Sequence, residues 1–245
     1  MESTSVNLHQ LDTSRAEAPR DHQEQAGRIG SSSPMRIGLN RIERSAKRLF
    51  DLLSVVVILL LLGWLMLIVA IGVWLTTGRP VIYGHQRVGR RGELFTCYKF
   101  RSMVPNADEV LRELLERDPE AREQWNREFK LKNDPRITRF GHFIRKTSLD
   151  ELPQLWNVVR GDMSVVGPRP VIQRELDEYY SAAREHYLCV RPGLTGLWQV
   201  SGRNDLDYDQ RVALDRHYVD TWNVFRDFTI VMRTVGVMVG KKGAY

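Results

Sequence analysis

Three short segments of this 245-residue chain carry side chains that could do chemistry. The first is Arg145-Lys146-Thr147-Ser148-Leu149-Asp150-Glu151-Leu152-Pro153. Adjacent carboxylates beside cations suit phosphoryl chemistry: one carboxylate can attack phosphorus to give an acyl phosphate, and the other can hold Mg²⁺ against phosphate oxygens. Arg145 and Lys146, with Arg169 further on, would offset charge on the group in transfer. The same residues also read as plain helix chemistry. Ser148 and Glu151 have capping-box spacing, and Asp150 would complement the dipole of a helix beginning at Ser148. The two readings are compatible, because a helix N-terminus helps to keep a carboxylate ionised and to bind phosphate.

The second segment is Gly161-Asp162-Met163-Ser164-Val165-Val166-Gly167-Pro168-Arg169-Pro170, in which two prolines flank one arginine. It is either a rigid turn that presents a guanidinium or an ordinary surface loop. The third is Asp205-Leu206-Asp207-Tyr208-Asp209, similar to a D-x-D metal motif and to the start of an EF-hand. Gln210 and Arg216 stand where an EF-hand needs glycine and a bidentate glutamate. Helix capping by Asp207 or Asp209 is the simpler expectation.

Other chemistries have no footing in the sequence. No G-x-G-x-x-G, phosphate-binding G-x-x-x-x-G-K-[ST], H-E-x-x-H or G-x-S-x-G motif is present. Cys97 and Cys189 lack metal-ligand spacing and read as free thiols of a reducing compartment. The net charge of +6 asks for an anionic partner, but no nucleic-acid module accompanies it, so nucleic acid is not expected.

The elements that must position these segments begin with a polar tail, expected to be disordered over residues 1–40. A membrane-embedded helix with a basic flank follows over 45–76. Its core, Leu52 to Leu75, is uncharged, and a helix of that length extends about 36 Å where roughly 20 apolar residues already span a bilayer. Five basic residues oppose Glu43 over residues 36–50, and six oppose Glu93 over 79–101. Two basic flanks favour a re-entrant helix, broken near Gly63-Trp64, over a crossing one, since both flanks then meet the anionic leaflet.

Residues 77–245 read as one soluble domain. Val81 to Phe100 predicts a β-hairpin closed by a Gly-rich basic turn. Helical spacing predicts helices over Asn106–Leu115, from Pro119 through Trp125 and Phe129, from Ser148, and over Asp209–Tyr218. A last apolar stripe, Trp222, Phe225, Phe228, Met232, Val235 and Val239, fits either core or a membrane-surface helix. The expected fold class is α+β: mostly helical, with a small hairpin and the one N-terminal membrane helix.

Taken together, five ordered motifs resemble the bacterial sugar transferases, the monotopic phosphoglycosyl transferases. They are Tyr98-Lys99-Phe100-Arg101-Ser102-Met103, Asn133-Asp134-Pro135-Arg136-Ile137-Thr138, Thr147 to Gln154, Gly167-Pro168-Arg169-Pro170 and Arg191-Pro192-Gly193-Leu194-Thr195-Gly196. The match begins at Lys47-Arg48-Leu49-Phe50-Asp51 and covers about four fifths of the chain. The resemblance implies a cytoplasmic-face domain at the bacterial inner membrane. There Asp150 attacks the sugar-bearing phosphate of a UDP-sugar, releasing UMP, and undecaprenyl phosphate then takes the sugar phosphate to start exopolysaccharide assembly. It implies Mg²⁺ on Glu151, substrate contacts from Lys99, Arg101, Arg145, Arg169 and Asp215, galactose or glucose as the sugar, and other polysaccharide assembly enzymes as partners. Gly63-Trp64 stands where the family's re-entrant helix has a Ser-Pro pair. Two rival functions differ in class: a membrane-anchored scaffold, which does not need the two carboxylates, and a direct glycosyl transferase, which would use Asp205–Asp209 and release UDP.

Overall fold

The computed structural model describes residues 39–128, 131–202 and 206–239. The expected tail, except for its last two residues, lies outside these, as do Phe129 and Asp205. Asn40 opens the first helix: its side chain accepts the Glu43 amide (2.7 Å) and the Glu43 carboxylate accepts the Asn40 amide (2.8 Å), satisfying two otherwise orphaned donors. From there α1 (Arg41–Thr77) runs for 37 residues, about 56 Å of helix.

The expected break at Gly63-Trp64 is absent. An isolated glycine with open space around it costs a helix about 1 kcal/mol, and no proline is there to remove a hydrogen bond. Lys47, Asp51, Val55, Val69, Val73 and Thr77 are buried, with Ile58, Leu62 and Met66 half-buried between them. Spacings of three and four residues put all nine on one helical face. That face packs along α4, α5, β2, β3 and α10, defined below, so both ends of α1 are held by the same body. The opposite face is bare: Leu60, Leu61, Trp64, Leu67 and Leu75 are each more than 60% exposed.

The N-terminal anchor is ionic. Lys47 Nζ lies 2.7 Å from Asp227 Oδ2 and 3.5 Å from Asp51 Oδ1, and Asp51 Oδ1 accepts the Ser164 hydroxyl (2.8 Å) and the Val165 amide (3.0 Å). Tyr218 and Trp222 donate to Asp227, at 2.8 and 3.1 Å. Arg48 donates to the carbonyls of Val158 and Val159. Lys47 and Arg48, counted from the sequence as leaflet-facing charge, therefore serve inside the fold. Removing one member of such a buried pair costs about 3–5 kcal/mol.

Beyond α1, β1 (Ile82–Val88) and β2 (Leu94–Phe100) form the expected antiparallel hairpin, with Tyr83 opposite Lys99 and Arg87 opposite Phe95. Then come α2 (Ala107–Arg117), α3 (Pro119–Glu128), α4 (Arg139–Lys146) and α5 (Gln154–Arg160). After α5 lie β3 (Ser164–Val166), α6 (Gln173–Tyr179), α7 (Arg184–Cys189), β4 (Gly193–Thr195), α8 (Leu197–Ser201), α9 (Tyr208–Asp220) and α10 (Val224–Val239). A second, parallel pair, β3 with β4, was not expected; α6 and α7 supply its crossover. The fold class is α+β.

On α10, Asp227 and Ile230 point inward, whereas Phe225, Phe228, Met232 and Val235 are exposed. From Phe225 to Val235 the apolar stripe is thus an outer surface, whereas Trp222, its first member, packs against the core; the Val239 side chain lies outside the described residues. Phe143 and Trp156 add to the exposed apolar area.

Candidate active site

The helix expected to begin at Ser148 does not. Helix α4 ends at Lys146, and the Ser148 amide still closes on the Arg145 carbonyl (3.1 Å). Ser148 itself turns the chain, left-handed at φ 56° and without any side-chain cap bond. A single 3-10 turn, Leu149–Glu151, follows, and α5 starts only at Gln154. Ser148 therefore caps no helix, and Asp150 sits in a three-residue turn and not in the first turn of an α-helix. Instead, the sharp turn sets Asp150 inward and Glu151 beside it against strand β2.

Two close approaches fix the flanks of this turn. Gly141 lies so near the Ser102 carbonyl that no side chain would fit, which seats α4 on the end of β2. Arg145, one turn later, donates from Nε to Ser102 Oγ at 2.8 Å. At the start of α4, Thr138 Oγ1 caps the Gly141 amide (2.9 Å), and just before it Asp134 and Arg136 form a buried two-point pair (2.8 and 2.7 Å). On the other side, Gly167 and Gly193 touch backbone to backbone, and the Gly193 amide donates to the Pro168 carbonyl (2.7 Å). The second and fifth sequence motifs thus build a frame around the first and fourth.

The sequence-derived site residues separate into those the fold gathers and those it does not. Lys99 Nζ meets Glu151 Oε1 at 2.6 Å, with both side chains about one-third exposed. Asp150 is buried, within the electrostatic reach of Lys99, Glu151 and Arg145. The charge of Arg169 also reaches Glu151, and its guanidinium stands over the Trp198 ring, 5.6 Å from its centre. Arg101 is turned elsewhere, donating to the Arg79 carbonyl at 3.4 Å, and Lys146 is exposed. Asp215 is buried behind Arg169: its Oδ2 accepts the Tyr180 hydroxyl (2.7 Å) and the Arg169 amide (3.4 Å). Asp207 caps α9 through the Gln210 amide (2.7 Å), as the capping expectation had it.

Arg87 was missed as a site residue. It pairs with Glu175 at 3.3 Å and helps to hold Glu151 ionised. The signal was available: two-residue alternation along β1 puts Arg87 on the face of Tyr83, which lies opposite Lys99.

The electrostatics split the two carboxylates. Burial pushes Asp150 up to about 6, with Glu151's charge adding to the rise and Lys99 and Arg145 pulling against it. Burial also pushes Glu151 up, but Lys99, by charge and hydrogen bond, with Arg169 and Arg87, brings it below the usual glutamate range. The pair thus holds one fixed carboxylate and one that titrates near neutrality. No group of three or more His, Cys, Asp or Glu side chains able to hold a metal occurs among the described residues. Two adjacent carboxylates nevertheless suit Mg²⁺, which binds one or two protein carboxylates and takes its other oxygens from substrate phosphate and water. A separate cavity of about 520 Å³ beside α9, lined by residues such as Tyr179, Val212 and Asp220, includes none of these groups.

Comparison with known proteins bears on the same segments. The family profile described as "Bacterial sugar transferase" matches residues 42–241. An undecaprenyl-phosphate galactose phosphotransferase of Salmonella typhimurium is 55% identical over 217 residues, covering 86% of this chain and 44% of that protein. A UDP-galactose-lipid carrier transferase of Erwinia amylovora is 57% identical over 202 residues, covering 82% of this chain and 42% of its own length. The exopolysaccharide production protein ExoY of Rhizobium meliloti is 52% identical over 200 residues, covering 82% of this chain and 88% of its own length. The chain therefore spans less than half the length of the first two relatives and most of the third.

Proposed function

The chain belongs to the bacterial sugar transferase family, and from that membership we propose that it is a phosphoglycosyl transferase. Its donor is a UDP-sugar and its acceptor undecaprenyl phosphate, and the reaction begins exopolysaccharide assembly. The transferred sugar is a hexose, galactose or glucose. The relatives named for galactose transfer support the former.

One observation carries this reading: buried Asp150, its carboxyl raised to about 6 by that burial, lies beside Glu151, which Lys99 contacts at 2.6 Å and holds below the usual glutamate range. Above pH about 6 Asp150 is a carboxylate with little solvent to lose, which suits a nucleophile. Its oxygen attacks the sugar-bearing phosphorus. The bond from that phosphorus to the oxygen bridging the two phosphates breaks, and UMP leaves with the electron pair. In the second step an oxygen of the lipid phosphate attacks the same phosphorus and expels the Asp150 carboxylate. Lys99 and Arg169 offset phosphate charge during both steps, and Arg145 steadies the Asp150 side. Mg²⁺, held by Glu151 when bound, supplies further positive charge against the phosphate oxygens.

The packing of both ends of α1 on one body supports a protein seated on a single leaflet, the cytoplasmic face of the inner membrane. The bare faces of α1 and α10 would enter the lipid. The test is the identity of the nucleotide product. With UDP-galactose, Mg²⁺ and undecaprenyl phosphate, UMP should accumulate in step with lipid-linked sugar. Accumulation of UDP would assign transfer at the sugar carbon, and no nucleotide release from any hexose donor would leave only a scaffold.

A further inference from the structure

A second group of cations gathers where α1, the end of α5 and the hairpin turn meet. Gly161 ends α5 with a φ of 91°, and a Cβ placed on it would lie 3.6 Å from Arg191 Nη2 and 3.9 Å from Arg48 Nη2, so two guanidiniums meet over one glycine. Arg90, in the 3-10 turn between β1 and β2, adds its charge to theirs. Arg48 is held in place by the Val158 and Val159 carbonyls. Arg191 and Arg90 are half-buried, open to solvent on one side, and make no side-chain hydrogen bond or ion pair among the described residues. The acids that reach Arg191 are engaged elsewhere: Asp162 by Arg160 (3.4 Å) and Asn157 (3.2 Å), and Asp51 by Lys47, Ser164 and Val165. Burial, then Arg90 and Arg48, lowers the Arg191 pKa, and the two acids offset this only in part. A guanidinium stays charged all the same, so like charges held this close call for an anion.

Helical geometry puts this group at the edge of the bare apolar surface. Arg48 follows buried Lys47 and so lies about 100° around α1, between the packed face and exposed Leu49, Leu52 and Leu53. On α5, exposed Trp156 and Arg160 lie one turn apart on one face, and exposed Val159 adjoins them. An indole and arginines bordering an apolar surface are the arrangement of a membrane interface. A phosphodiester fits the open donors, having two acceptor oxygens and a full negative charge. The adjoining apolar faces would take acyl chains, which a free phosphate lacks, and no open acid beside Arg191 awaits the ammonium of a zwitterionic lipid. We propose that Arg191 and Arg90, beside the fixed charge of Arg48, bind the phosphate of one anionic phospholipid headgroup at the edge of the lipid-facing surface. The inference rests on the membrane seat proposed above; Lys99, Asp150, Glu151 and Arg169 take no part in it.

The test titrates the full-length chain, purified in a neutral detergent, with phosphatidylglycerol or phosphatidylcholine of equal chain length and reads occupancy by native mass spectrometry. Wild type should hold one phosphatidylglycerol about tenfold more tightly than phosphatidylcholine. Arg191→Gln and Arg90→Gln should each weaken phosphatidylglycerol about tenfold and leave phosphatidylcholine unchanged. Arg44→Gln removes an exposed charge of the same sign near the start of α1 and should change either affinity by less than about twofold. Melting temperatures establish that the variants are folded. Equal affinity of wild type for the two lipids, or a loss in Arg44→Gln as large as in Arg191→Gln, would overturn the site. Displacement of phosphatidylglycerol by inorganic phosphate would also overturn it and assign the arginines to a free anion. Flotation with phosphatidylcholine vesicles separates this failure from that of the membrane seat. All three variants should still float through the bare apolar faces, and a wild type that does not float would overturn the seat itself.

Discussion

Replacing Asp150 with asparagine should stabilise the protein while it abolishes turnover. The folded chain raises the Asp150 pKa from 3.8 to about 6, chiefly through burial, so the folded state holds this proton more tightly than the unfolded chain does. The contribution is fully favourable below about pH 4, falls as the pH rises toward 6, and is lost above it. The rise of about two pH units corresponds to about 3 kcal/mol at 1.36 kcal/mol per unit. Asp150→Asn keeps the shape and discards the charge, so at pH 8 it should recover up to that amount. For a chain of this size the gain corresponds to a melting temperature higher by about 6–12 °C. Thermal unfolding of both proteins in the same detergent at pH 8 and pH 4.5 checks it: a clear difference at pH 8 should shrink strongly at pH 4.5. A variant no more stable than wild type at pH 8, or a gain independent of pH, would refute the argument that burial strains this carboxylate.

Two further outcomes follow from the same geometry. Lys99→Met removes both the 2.6 Å contact with Glu151 and the charge that keeps Glu151 ionised. UMP release should fall about 10²–10³-fold, and the acid limb of its pH–rate profile should move to higher pH; an unmoved limb would remove Lys99 from the site. In a chain carrying Cys97→Ala and Cys189→Ala, single cysteines at Ser45 and Thr76 report on the two ends of α1. A membrane-impermeant maleimide should reach both from the same side of sealed vesicles, and labelling from opposite sides would contradict the single-leaflet arrangement.

What could be read from the sequence depended on how local its cause was. The hairpin needed only strand alternation around a glycine-rich turn, and α9 only an N-cap, and both are present. Asp150, Glu151, Lys99 and Arg169 were legible as a set because their motifs carry them, and Arg145 stands two residues before one of those motifs, although the five motifs do different work. Asn133 to Thr138 braces α4, and Arg191 to Gly196 supports the Arg169 turn. The error at Ser148 has a clear cause: the capping-box pattern describes a helix start, but α4 had ended only two residues earlier and the chain needed a left-handed turn there. Long-range partners were invisible. Nothing in Lys47-Arg48-Leu49-Phe50-Asp51 announces that Lys47 will pair with Asp227, 180 residues away, and charge counting therefore sent it to the membrane. The role of α10 likewise required knowing which face Asp227 claims, since that choice turns Phe225, Phe228 and Met232 outward.

The covalent step is the centre of the account, and intact-protein mass spectrometry reaches it directly. The wild-type chain mixed with UDP-galactose and Mg²⁺, without lipid acceptor, should gain the mass of one hexose phosphate and release an equal amount of UMP. Peptide mapping should place the adduct on Asp150, undecaprenyl phosphate should discharge it, and Asp150→Asn should show neither adduct nor UMP. Turnover that proceeds with no adduct on the wild type, or UMP release that persists in Asp150→Asn, would contradict it.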